Sequence, residues 1–185
     1  MNKNYMTYPM KYMRITCRYD KGSHRKHCIN VKDGRVDYPI DDGGKDIEKD
    51  PIYCPCDEMI VTKIQGVGNS STNTIWLVST NLVITPTFVD IVYMTLTHSN
   101  DNDFKNIRVG DKFKRGEIIC YEGTDGTNGN HIHITCGRGN SNDWYQNSNG
   151  SWAIVGNSKK PEDVFYIDSE FTQVLSDGNL MWKYL

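Results

Sequence analysis

Two imidazoles stand one residue apart in Gly129-Asn130-His131-Ile132-His133-Ile134-Thr135-Cys136. In an extended strand, residues two apart point to the same face, so His131 and His133 project side by side. Such a pair suits metal binding or proton transfer. The other three histidines also fall in polar, turn-flanked stretches: His24 and His27 in a long loop, and His98 at the end of Val92-Tyr93-Met94-Thr95-Leu96-Thr97. A catalytic zinc centre uses three protein ligands and keeps a fourth position for water, and two histidines with one aspartate form a suitable donor set. The long loop supplies a histidine and the acidic candidates Asp41 and Asp42.

Short strands must carry these residues, because helical periodicity is scarce and β-branched and aromatic runs recur between Gly, Asn, Asp and Ser. The expected strands are Tyr12–Cys17, Tyr53–Gln65, Thr74–Thr80, Val89–Thr97, Glu117–Glu122 and His131–Cys136. The fold class is therefore mainly β, a twisted antiparallel sheet with long loops. The segment Arg18–Asp50 reads as one long polar loop with turn signals at Asp33-Gly34 and Gly43-Gly44, and Val109–Gly116 as a turn-rich excursion. The 185 residues suffice for one domain, with a core over about 12–137 and an irregular, Gly/Asn/Ser-rich extension over 138–185 that packs back on it.

A formal charge of −2 without a basic run excludes the electrostatic footprint of a nucleic-acid binder. No stretch approaches the roughly 18 apolar residues of a membrane span, and Met1–Met6 has no apolar signal region, so synthesis in the cytoplasm without a signal peptide is expected. The six cysteines are expected as free thiols, with Cys54 and Cys56 of the Cys-Pro-Cys packed in the interior and not bound to metal.

Several motifs then follow one another in order over the first 140 residues. They are Met13-Arg14-Ile15-Thr16 with Tyr19 and Gly22-Ser23-His24; Tyr38-Pro39-Ile40-Asp41 with Gly43-Gly44-Lys45-Asp46; Pro51-Ile52-Tyr53-Cys54-Pro55-Cys56-Asp57; Val109-Gly110-Asp111 to Gly116; and Gly126-Thr127-Asn128-Gly129-Asn130-His131-Ile132-His133. In this order they resemble the zinc metallopeptidases of the lysostaphin and LytM type, peptidase family M23, which cut peptides of bacterial peptidoglycan. The resemblance implies a Zn2+ cofactor held by His24, Asp41 and His133, with His131 and His98 as the proton-transferring residues. The family's second catalytic histidine commonly follows the tyrosine by two residues, where this chain has Thr95; His98 is chosen because threonine does not transfer protons at neutral pH. The first ligand usually stands only a few residues before the aspartate, so an insertion around Lys32-Asp33-Gly34 must loop out to bring His24 to Asp41. His24 is favoured over His27 as the first ligand because Gly22-Ser23-His24 fits the entry motif better; if His27 is not the ligand it is expected as an exposed loop residue, and Asp42 is expected as a surface or supporting carboxylate. Asp20, Asp33, Asp37, Asp46, Asp125 and Glu122 are expected to solvate loops or brace turns. For Tyr93, Trp144, Tyr145 and Trp152, packing is favoured over contact with a peptide or sugar.

The implied activity is a zinc-dependent endopeptidase acting on peptidoglycan peptides, of the phage or prophage wall-lytic type, carried on a virion or released through a holin. The alternative is an inactive, peptidase-like module that docks on peptidoglycan or belongs to a phage tail, in contact with tail proteins. A zinc deaminase is disfavoured, since neither His-x-Glu nor Cys-x-x-Cys is present.

Overall fold

The computed structural model describes residues 3–27, 36–45, 49–66, 73–140, 143–146, 152–155 and 158–185; the side chains of 26, 27, 143–146 and 152–155 lie outside this description. His27, Trp144, Tyr145 and Trp152 are thus placed along the chain only, and Asp33 and Asp46 lie outside the described residues.

One sheet dominates. Its strands are β1 (Tyr12–Cys17), β2 (Ile40–Asp42), β3 (Glu58–Gln65), β4 (Thr74–Ser79), β5 (Val92–Thr97), β6 (Lys112–Lys114), β7 (Ile132–Arg138) and β8 (Gln173–Ser176). Their order across the sheet is β8-β1-β2-β7-β5-β4-β3-β6. The two runs richest in β-branched and aromatic residues, Thr74–Ser79 and Val92–Thr97, sit near its middle and are buried along their whole length.

All neighbours pair antiparallel except β1 and β8, which run parallel. The sheet is thus the expected, mainly antiparallel one, made mixed at one edge because the C-terminal segment returns to lie parallel beside β1. It also packs on the core: Phe165 is fully buried, and Tyr8 meets the Phe165 and Trp182 rings edge-on at 5.9 and 5.6 Å.

The expected strand Tyr53–Gln65 breaks at Cys54-Pro55-Cys56. Pro51–Tyr53 leaves to pair with Ile118–Tyr121, and β3 begins only at Glu58. Pro55 has no N–H for a ladder, which is why the run divides there. Two strands arise where loops were expected. Lys112–Lys114 forms edge strand β6, whose flanking lysines are exposed, and Ile40–Asp42 forms β2 within the long polar segment. The same segment contains a short helix, α1 (Gly22–His27). Among the described residues no helix is long and apolar enough to cross a membrane. The described cysteines, Cys17, Cys54, Cys56, Cys120 and Cys136, are free thiols, and all but Cys17 are buried.

Register separates two chemistries on the two faces of the sheet. On one, Ile40 lies opposite Ile134, Ile134 opposite Leu96 and Leu96 opposite Ile75, all fully buried. On the other, Cys17 lies opposite Asp41, Asp41 opposite His133, His133 opposite Thr97 and Thr97 opposite Thr74. Alternation along β2 puts Asp41 in this polar row and turns Asp42 to the core side.

Asp42 is accordingly fully buried and is not a surface carboxylate. Its Oδ1 accepts the N–H of Arg14 at 2.9 Å and of Gly44 at 2.8 Å, and its Oδ2 accepts the Tyr8 hydroxyl. Burial pushes the carboxyl up to about 6 despite those three donors. A folded-state value above the unfolded one favours the protonated form in the fold. The associated stability is present below about pH 4 and is lost as pH rises through about 6. Asp42→Asn should therefore gain stability relative to the parent by about 2 kcal/mol between pH 4 and pH 7, read by denaturant unfolding at both. A stability difference that does not change with pH would rule out the raised carboxyl.

Candidate metal centre and active site

Asp41 organises the polar row. His133 Nδ1 lies 2.9 Å and His24 Nε2 3.2 Å from the same oxygen, Asp41 Oδ1. His133 reaches it through strand register, whereas His24 reaches it from α1, which follows β1 after the Arg18–Lys21 turn. The two imidazoles meet edge-on with centroids 5.0 Å apart. Burial by itself would raise the Asp41 carboxyl, but hydrogen bonds and charge from His133 and His24 outweigh it and hold the group well below the usual carboxylate range. Burial also pushes His133 down, against the Asp41 carboxylate.

His131 and His98 are oriented differently. His131 Nδ1 is 2.9 Å from the carbonyl of Gly129, and His98 Nδ1 is 2.7 Å from the carbonyl of Asp125. A carbonyl only accepts, so Nδ1 donates in both rings, and the neutral form of either ring then has Nε2 as its acceptor. His131 Nε2 lies 3.8 Å from Asp41 Oδ1, and the His98 ring is 5.0 Å from that of His131 and 5.9 Å from that of His133.

His98 gets there by leaving its strand. Its φ is +80, a left-handed conformation uncommon outside glycine, and its N–H donates to the carbonyl of Asn73 at 3.1 Å. Asp125 braces the turn: its Oδ2 accepts Asn73 Nδ2 at 2.6 Å and the N–H of Asp101 at 2.8 Å. Thr95, at the position where the resembled family has a histidine, is fully buried opposite Thr135, and its hydroxyl lies 3.5 Å from the Thr135 carbonyl. Burial, together with the neighbouring His133, pushes His98 down to about 4, so its imidazole is neutral at pH 7.

The glycine-rich stretch before His131 shapes this arrangement. Gly123 exchanges backbone hydrogen bonds with His131, and a methyl group on it would stand 2.5 Å from the His98 carbonyl oxygen and 2.7 Å from the Asn100 nitrogen. Only glycine allows the two histidine segments to approach this closely. Of the carboxylates expected to solvate loops or brace turns, Glu122 is fully buried and braces, accepting Asn130 Nδ2 at 2.5 Å, one residue before His131. Asp37 is buried as well, accepting the Ser158 hydroxyl at 2.6 Å.

Cys17, opposite Asp41, was given no role from sequence. Its Sγ and donor atoms of His24 and Asp41 lie within 4.8 Å of one another, a grouping able to hold a metal ion. Burial pushes this thiol up. No sequence spacing marks it, because the chain distance from Cys17 to Asp41 hides their register.

By NMR of the metal-free protein, His98 should titrate near 4. Since this lies below the ordinary 6.5, folding stability falls as pH drops through that window. Gly123→Ala should unseat the ring and move its titration toward 6.5; an unchanged titration would contradict the close approach. No family model and no curated protein matches the chain. Among solved structures it is similar to a zinc-containing peptidase from Vibrio cholerae, at 17% identity and a TM-score of 0.45, covering 72% of this chain and 36% of that one. It is also similar to Helicobacter pylori Csd3, at 17% identity and a TM-score of 0.47, covering 85% and 37%. The chain thus spans little more than a third of the length of either structure.

Proposed function

We propose that the chain is a zinc-dependent endopeptidase that hydrolyses peptide bonds in bacterial peptidoglycan. The observation that carries the reading is the convergence of His24 Nε2 and His133 Nδ1 on Asp41 Oδ1, with His131 and His98 beside them. Two nitrogens and one carboxylate oxygen are the donor set of a catalytic zinc site. The side chains of Asp41, His131 and His133 keep 14%, 15% and 20% of their surface exposed, so one side of the cluster remains open to water and a peptide. The peptidoglycan assignment is supported by the ordered lysostaphin-type motifs.

His24, Asp41 and His133 would hold a zinc ion, which when bound would supply Lewis acidity, lowering the pKa of water toward about 7 and polarising a scissile carbonyl. The chain's own residues handle the protons. Nε2 of His98, kept neutral by burial, and Nε2 of His131 are both able to take the proton of the attacking water and return it to the leaving amine. Backbone carbonyls fix both rings, so neither must reorient before proton transfer. The Thr97 and Thr74 hydroxyls, 2.9 Å apart, continue the polar row past His133. The two departures that motivate an inactive docking module, the distant first histidine and Thr95, lose force because His24 and His98 both reach the cluster.

Purified sacculi from several wall types, digested with the zinc-loaded protein and analysed by mass spectrometry, should yield muropeptides with new amino termini. His133→Ala should lose zinc and hydrolysis together. His131→Ala should keep one zinc per chain while turnover falls by about 10²- to 10⁴-fold. Sacculi that bind the zinc-loaded protein but release no new amino termini would replace the enzyme with the docking module.

A further inference from the structure

We infer that the Cys17 thiolate is a fourth protein ligand at this centre, closing the coordination shell of the resting protein together with His24, Asp41 and His133. The inference rests on the zinc peptidase reading above and concerns how that site is regulated.

Placement is the first argument. β1 pairs Ile15 with Asp42 and then Cys17 with Asp41, so two steps along β1 match one along β2. This bulge at Thr16 breaks the alternation that would otherwise send Cys17 to the same face as buried Ile15. It puts the thiol opposite Asp41, at the end of the row that continues to His133. Bulges are enriched beside active sites, where they re-aim a side chain.

Donor chemistry is the second. Sγ, a His24 nitrogen and an Asp41 oxygen already lie within 4.8 Å of one another, and a tetrahedral zinc shell with one sulfur has ligand-to-ligand edges of roughly 3.5 Å. About an ångström of side-chain movement closes the difference for these three groups, and His133 Nδ1, 2.9 Å from Asp41 Oδ1, joins the set through Asp41. As a donor the thiol reaches only distant carbonyls, 3.7 Å to that of Arg18 and 3.6 Å to that of Lys21. A thiolate is also the softest donor near the site, and zinc takes it readily.

Four protein ligands make a closed zinc site, whereas hydrolysis needs an open position. Cys17 in the shell therefore describes a resting form that exchanges with an open one, so the zinc-loaded protein still turns over. Opening it requires the zinc–sulfur bond to break and Sγ to take up a proton, which frees the position that the attacking water needs.

A purely structural role for Cys17 is distinguishable. Its Sγ also accepts N–H groups of Ser23 and His24 at the start of α1. Serine keeps such a cap, yet its alcohol is a poor zinc ligand at neutral pH. With Co2+ as the probe, the parent should bind one ion per chain and show a strong near-ultraviolet sulfur-to-cobalt charge-transfer band. Cys17→Ser should still bind one ion, about tenfold more weakly, without the band. One ion bound with no such band, or a band that survives Cys17→Ser, would overturn the Cys17 assignment and leave the three-ligand centre standing. A parent that binds no cobalt would overturn the centre itself and this inference with it.

Discussion

One carboxylate oxygen is the point on which the site depends. Asp41 Oδ1 sits at hydrogen-bonding distance from nitrogens of two imidazoles that come from opposite directions, His133 from the adjacent strand and His24 from a helix. The arrangement requires β2 to lie between β1 and β7, and it requires a register in which Cys17, Asp41 and His133 stand in line. A one-residue slip of β2 would bring Asp42 into that line and turn Asp41 to the core. The apolar row on the opposite face, Ile40 to Ile75, works against such a slip because it would expose Ile40 to the polar side. Hydrophobic burial thus fixes the alignment of the polar groups.

Asp41 and Asp42 show how much a face matters. They are neighbours in a three-residue strand, yet their carboxyls move in opposite directions. Two imidazoles hold Asp41 low, while burial with only neutral donors raises Asp42. Asp42 ties the hydroxyl of Tyr8 and the backbone of β1 to the strand that carries Asp41, so its burial rigidifies the site from behind. A buried carboxylate at this position is costly unless its oxygens accept hydrogen bonds, and here each oxygen has a donor.

The catalytic side of the cluster depends on backbone conformation more than on strand register. His98 leaves β5 through a positive φ and is fastened by the Asp125 carbonyl, while Gly123 leaves room for its main chain. Strain of this kind persists only where surrounding contacts over-determine it, as the Asn73, Asp101 and Asp125 hydrogen bonds do. Histidines reached by such a turn need not keep the spacing from the preceding tyrosine that a regular strand would impose. That accounts for Thr95 pairing quietly with Thr135 inside the sheet.

From sequence, the shared face of His131 and His133, the placement of Asp41 after Ile40 and the β character of the central runs were all legible, because a period of two is a local property of the chain. The edge strand at Lys112–Lys114 and the parallel return of β8 beside β1 were not, since pairing partners are chosen by burial across the whole domain. Nor were the burial of Asp42, the proximity of Cys17 or the route of His98. Each follows from register between segments far apart in sequence, from a bulge, or from one left-handed residue. Sequence alone determined which side chains share a strand face; tertiary structure decided which faces meet, because one residue of register or one positive φ redirects a side chain without leaving a mark in the spacing.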